Sequence, residues 1–172
     1  MNIHDMLIAY QAINKKRLIE AHRMFGDLTS QQITQVIQPP QPLTQLGMAT
    51  LQQGHYRPLS PMLKARFEYA GSWKEADAGH EWLDLTQIEE CLRDQRVLKQ
   101  IRERIQVWNE SSLAKLPPSR ISLFGLYRDQ SEEIYLIWPN ENGTEPKVLS
   151  YAGNFEAEFT NLGHYLKHLI DG

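Results

Sequence analysis

His164 and His168 in LGHYLKHLI stand four residues apart, the spacing that lets two imidazoles on one helix face share a metal ion. Two nitrogens do not make a site. Asp171 or a distant carboxylate would have to supply a third ligand, and the same spacing suits two solvated side chains. His80 and Glu81 open HEWLD like a zinc-protease motif, yet no second histidine follows on the next helical turn. Cys91 is the only cysteine, which excludes an internal disulfide framework and a multi-cysteine zinc site. Glu89, Glu90 and Asp94 flank it and would raise its thiol pKa, so it reads as core packing rather than as a nucleophile. Ser111 and Ser112 lie outside any G-x-S-x-G turn, and the chain has no glycine-rich phosphate loop. These residues predict no catalytic site, no metal and no cofactor. The enzyme alternative is a small metal hydrolase using His55, His80, His164 or His168.

Charge and aromatic residues carry more information. RDQRVLKQIRER offers Arg93, Arg96, Lys99, Arg102 and Arg104 to a nucleic acid, but Glu89, Glu90, Asp94 and Glu103 interleave with them. Intrahelical pairs such as Glu89 with Arg93 explain that pattern more simply. The formal net charge of -3 conceals an asymmetry: from residue 121 onward, three cations face eight carboxylates, a balance of −5. An acidic C-terminal third disfavours nucleic acid and attracts a basic partner. Tyr69, Trp73, Trp82, Trp108, Tyr127, Tyr135, Trp138 and Tyr151 are too many phenols and indoles for one core to satisfy easily, and Trp73 sits in the polar stretch GSWKEADAG. Aromatic side chains in an acidic setting suit a protein-binding surface. The predicted partner-binding set is Trp73, Trp82, Glu132, Glu133, Tyr135, Trp138, Glu141, Glu145, Glu156 and Glu158.

The elements that would position these residues follow from periodicity. Residues 3–25 form an amphipathic helix closed by Gly26, and a short helix is expected from Ser30 to Gln38. QPPQP is a connector. Pro61 after Ser60 starts a helix that Gly71 stops. A short extended piece at EWLD leads into a helix from Thr86, where Thr86 and Glu89 have capping-box spacing, and its apolar stripe runs on to Trp108. The period then changes to strands at 121–127, 133–138 and 147–152, and Asn161 caps a last helix over 159–170. The expected fold is α+β: an antiparallel C-terminal meander with helices packed on one face and an extra N-terminal helical segment. The division is a helical arm, 1–45, and a main domain, 46–172, with a single compact domain as the other arrangement. Hydrophobic residues at 41% and charged residues at 23% are globular values. No signal peptide or long apolar run is evident, so a cytoplasmic, non-membrane protein is expected.

From residue 59 the stretches LSPMLKARFEYAGSW, HEWLDLTQIEECL, SLFGLYRD, EEIYLIWPNENGTEPKVLSYA and LGHYLKHLI follow an order that resembles the SUKH superfamily. This group includes the fungal regulator of cell-wall synthesis and many bacterial immunity proteins of polymorphic toxin systems. Ser60 to Gly71 looks like its first helix, Trp82 to Leu85 its "W-x-x-L" segment and Leu162 to Ile170 its final helix. Where such proteins carry Asn-Gly after the first helix this chain has Ala70-Gly71, and residues 1–45 have no counterpart. The resemblance implies an α+β fold, no shared catalytic residues, and an immunity protein that binds a toxin or effector domain, whose surface the acidic C-terminal third predicts to be basic. A regulatory adaptor or oligomerising module that docks through the helix at 3–25 is the remaining alternative.

Overall fold

The computed structural model describes residues 2–26, 37–43, 46–77, 79–106, 111–127, 132–140 and 144–172. Among them are five α-helices and eight strands, an α+β fold with an N-terminal helix. Helix α1 (Ile3–Phe25) starts where the Asn2 side chain accepts the Asp5 amide at 2.9 Å, and ends on Gly26 at φ 70. Strands β1 (Met48–Ala49) and β2 (Tyr56–Arg57) form a small hairpin of their own. Helix α2 spans Pro61–Tyr69. Then come β3 (Trp73–Asp77), β4 (His80–Trp82), α3 (Leu85–Cys91), α4 (Gln95–Gln106), β5 (Ile121–Tyr127), β6 (Glu132–Ile137), β7 (Lys147–Ala152), β8 (Phe155–Phe159) and α5 (Leu162–Asp171). No helix among the described residues is long and apolar enough to cross a membrane.

Strands β3 to β8 pair in chain order, every neighbour antiparallel, so the main sheet is an uninterrupted six-stranded meander. The three strands expected from the sequence are β5, β6 and β7. β4 overlaps the short extended piece expected at EWLD, while β3 and β8 were not anticipated. β3 carries a register irregularity with Glu75 at φ 51, and its alternation is too weak to read as a strand. The expected helix at Ser30–Gln38 lies almost wholly outside the described residues; Ile37 at its end bridges Trp73 instead. The connector is bound tightly here, since Gly71 donates to the Gln38 carbonyl and Gln38 to the Ser72 carbonyl, both at 2.9 Å. A Cβ on Gly71 would come within 2.5 Å of the Pro39 oxygen, so this close approach requires glycine.

Two helix starts differ from the sequence reading. Asp84, not Thr86, caps α3: its carboxylate accepts the Gln87 amide at 2.8 Å while the Gln87 side chain accepts the Asp84 amide at 3.0 Å. The long helix expected from Thr86 is two helices. Asp94 breaks it by accepting the Arg96 amide at 2.8 Å, opening α4 on its own local cap.

Both faces of the sheet are covered, and β5 and β6 are buried almost throughout. On one face lie α1, α2 and α5, the helical layer that the sequence anticipates. Tyr10 stacks on Trp82 at 5.7 Å, its hydroxyl donates to the Ala76 carbonyl, and Asn14 donates to the Glu75 carbonyl at 2.9 Å. Leu7 and Tyr10 thus belong to the same core as the sheet, so α1 is part of the body. The opposite face meets α4, through Gln100 and Arg104, and the 3-10 turn Ser112–Lys115.

Arg66 of α2 is fully buried, with its guanidinium over Phe67, Trp82 and Phe124 at 4.9, 5.8 and 5.8 Å. One nitrogen donates to the Ala70 carbonyl at 2.7 Å; Nε and Nη2 have no hydrogen-bond partner. Burial pushes its pKa down to about 9, with the Asp84 carboxylate opposing, so the group is charged at neutral pH. A buried cation with two unused donors opposes folding unless its ring contacts offset the desolvation. Arg66→Met, which fills similar space, is expected to keep or raise the denaturation midpoint; a loss above about 2 kcal/mol would show that the ring contacts dominate.

Candidate functional site

The site is the sheet face opposite α1, where β6, β7 and β8 meet α4 and the Ser112–Lys115 turn. Strand parity brings Glu133, Tyr135, Leu149, Tyr151, Glu156 and Glu158 to this face. Glu133 is 1% exposed, accepts from Gln100 at 2.6 Å and pairs with Arg104 Nε at 2.9 Å. Burial raises its pKa above the ordinary carboxylate value, against those two contacts. Arg104 also donates to the Gly153 carbonyl at 2.8 Å and lies 4.6 Å from the Tyr151 ring, which fastens α4 to β6 and the β7–β8 turn together.

Beside this pair, Glu156 accepts from the Ser112 amide at 3.1 Å, from the Ser112 hydroxyl, and from the Tyr151 hydroxyl at 2.5 Å. Burial alone would raise its pKa; the Ser112 and Tyr151 hydrogen bonds and the charge of Lys115 outweigh that and lower it. Burial and the bond to Glu156 raise the Tyr151 phenol in turn. Glu158 pairs with Lys147 at 2.6 Å, both half-exposed. Next to them a groove of about 490 Å³ runs over Leu116, Ile137, Pro139 and Leu149, rimmed by Lys115, Arg120, Lys147 and Glu158. A more polar groove of about 690 Å³ separates the β1–β2 hairpin from α3 and α4.

The nine sequence-predicted residues that are described therefore separate into three groups, buried, held by neighbouring donors, and at the surface. Trp73, Trp82, Tyr135 and Trp138 are buried and present no surface to a partner. Their reading as interface aromatics is corrected: Trp73 and Trp82 pack on Tyr10 under α1, and Trp138 donates its indole N–H to Ser122 at 2.8 Å. Glu133 is likewise internal. Glu145 is engaged at the start of α2, where it accepts the Ser60 hydroxyl at 2.6 Å and the Met62 amide at 2.9 Å, so a residue from the β6–β7 connection supplies the cap expected of Ser60. Glu132 accepts the Gly153 amide at 2.9 Å and lies 3.9 Å from His80 Nε2. Glu156 and Glu158 reach the surface from β8, and Glu141 lies outside the described residues.

The histidines do not converge. His80 Nδ1 is 2.7 Å from the Asp77 carbonyl, His55 Nδ1 is 3.0 Å from the Thr50 hydroxyl, His164 bonds Thr160, and the His168 ring lies 5.1 Å from Phe159. Among the described residues no three His, Cys, Asp or Glu side chains are grouped to hold a metal. Cys91 is buried, as its place on the apolar stripe predicts. Sequence reasoning missed Gln100 and Lys115, considered Arg104 and Ser112 only for other roles, and missed β8. A signal for β8 exists: Gly153-Asn154 is a two-residue turn after a strand, followed by the alternation FEAEF. Compared with protein families, curated proteins and solved structures, the chain matches none.

Two outcomes test this site. Because Glu133 binds its proton more tightly folded than unfolded, its contribution to stability is present below the ordinary glutamate value of about 4.3 and is lost as pH rises through the raised folded value. The melting temperature of the wild type relative to Glu133→Gln is expected to fall as pH rises through that window; a difference independent of pH would remove the assignment. Glu145→Ala is expected to lower stability in urea denaturation by about 1 kcal/mol, the usual value of a helix cap, and an unchanged midpoint would show that water replaces it.

Proposed function

We propose that this protein performs no chemistry and acts as an immunity protein, binding and neutralising a cognate bacterial toxin or effector domain whose contact surface is basic. The observation that carries this reading is how the carboxylates of the C-terminal third are held. Glu132, Glu145 and Glu156 take their hydrogen bonds from backbone amides and from serine and tyrosine hydroxyls, none of them cationic. Neutral donors fix these three carboxylates in place without cancelling their charge, whereas Glu133 and Glu158 are paired with Arg104 and Lys147, so the negative field on this rigid frame comes chiefly from the first three. Such a field speeds encounter with a basic partner and selects against an acidic one.

The SUKH resemblance supports the same reading, because α2, β4, α3, β5 to β7 and α5 occur in the order on which it rests. The adaptor alternative loses ground because Leu7 and Tyr10 of α1, with Ile3 and Met6 beside them, pack into the protein's own core. Histidine-based hydrolysis loses ground because His55 and His80 lie on separate elements and His164 and His168 stand on the outer face of α5, so the four do not converge.

Tagged protein recovered from the cells that encode it is expected to carry one protein partner in stoichiometric amount, and co-production is expected to relieve that partner's toxicity. Raising salt is expected to slow association more than dissociation. Recovery of the protein alone, or a partner whose activity it leaves untouched, would overturn the proposal.

A further inference from the structure

The geometry points to the free edge of β8 as a docking site for one extended segment of a protein partner, added as a seventh, antiparallel strand of alternating basic and apolar residues. This rests on the protein-binding reading above and says how the partner is held.

The main sheet has two ends. At β3 the edge is met by the bridge from Ile37 to Trp73. At β8, no backbone among the described residues pairs with the outer side. The two-residue turn makes Ala152 and Phe155 the closing, hydrogen-bonded pair of the β7–β8 hairpin. Pairs in an antiparallel ladder alternate, so Ser150 with Ala157 and Val148 with Phe159 are hydrogen-bonded as well. The N–H and C=O groups of Glu156 and Glu158 therefore face outward, unpaired within the sheet. Such an edge is a template for another strand.

Side chains choose the occupant. Glu156 and Glu158 stand on the sheet face toward α4, while Phe155, Ala157 and Phe159 stand on the other, and Phe155 is 70% exposed. An added strand would set its residues opposite the two glutamates on one face and cover Phe155 on the other. A second copy of this chain is a poor occupant. Centred on Ala157, antiparallel self-pairing puts Glu156 against Glu158 of the other copy, and shifting by two residues sets Glu156 against Glu156 or Glu158 against Glu158, so every face-aligned register that pairs more than one residue of β8 with its copy opposes carboxylates. A strand with lysine or arginine at alternate positions and apolar residues between them turns that repulsion into attraction.

The test follows amide hydrogen exchange of the full chain by NMR, with a blocked seven-residue peptide of alternating lysine and valine as the probe. Without peptide, the amides of Ala157 and Phe159 are expected to be protected and those of Glu156 and Glu158 to exchange fast. With peptide, the Glu156 and Glu158 amides are expected to slow by at least about tenfold, as for newly formed ladder bonds. Opposite residues of this added pair exchange both bonds, so methylating the lysine amides is expected to abolish the effect and methylating the valine amides to spare it. A glutamate–valine peptide is expected to have no effect. Glu158→Pro removes an outward donor without breaking the β7 ladder, and is expected to bind at least about tenfold more weakly than Glu158→Ala.

Absence of protection at Glu156 and Glu158, whether the peptide fails to bind or binds in the Leu149 groove instead, would overturn edge docking while leaving the immunity reading to its own test. Protection in the peptide-free protein together with a dimer in sedimentation would overturn the choice of occupant. An edge that takes the peptide in a protein that relieves no toxicity would sink the immunity reading alone.

Discussion

Trp82 is the side chain on which the rest of the fold converges. Its ring meets Tyr10 of α1 at 5.7 Å, Trp73 of β3 at 5.2 Å, Phe124 of β5 at 5.4 Å and Tyr165 of α5 at 5.9 Å, with the Arg66 guanidinium of α2 at 5.8 Å. Five elements from across the chain are tied to one short strand. Each aromatic pair adds about 1 kcal/mol beyond the area it buries, and only the assembled cluster excludes water from all of them. This explains why a two-sided sheet results: once α1, α2 and α5 are drawn to Trp82, the other face must be closed by whatever chain remains.

That closing is done by polar contacts. Glu133 with Gln100 and Arg104, and Glu156 with Ser112 and Tyr151, hold α4 and the turn after it against the sheet. Low solvent access strengthens such bonds and makes any missing partner costly, so the network is stiff. Its stiffness serves the open end of the sheet. β8 is held along one side by β7, on one face by the Ser112 turn through Glu156, and on the other by α5 through Phe159, which packs on Tyr165 at 5.0 Å. The outer backbone of Glu156 and Glu158 is presented with little freedom to lose, which favours binding of an incoming strand.

Much of this was legible in advance where local pattern and final environment agree. The α1 stripe of Leu7, Tyr10 and Leu18, the β-branched runs of β5 to β7, Pro61 at the head of α2 and Asn161 at the head of α5 all have signals within a few residues of themselves. β3 did not, because its irregularity at Glu75 is stabilised by Asn14 and Tyr10, some sixty positions away. Trp73 reads as a surface aromatic because it lies in the polar stretch GSWKEADAG, yet Lys74 beside it is exposed while Trp73 itself, like Trp82, packs under α1. Glu145 and Glu156 were recognised as acidic, but their hydrogen-bond donors could not be read from spacing.

By itself the sequence determined the types of α1, α2, β5 to β7 and α5, the α+β class, the burial of Cys91, and the surplus of carboxylates after residue 121. These depend on backbone preference, periodicity and composition, all of which act over short range. Tertiary structure alone decided which carboxylates are sequestered and which reach the surface, that Leu7 and Tyr10 of α1 join the core, and that among the described residues no backbone pairs with the outer side of β8. Those are matters of which distant groups meet, and a hydrogen bond or ring contact forms only when folding has brought both partners within a few ångströms.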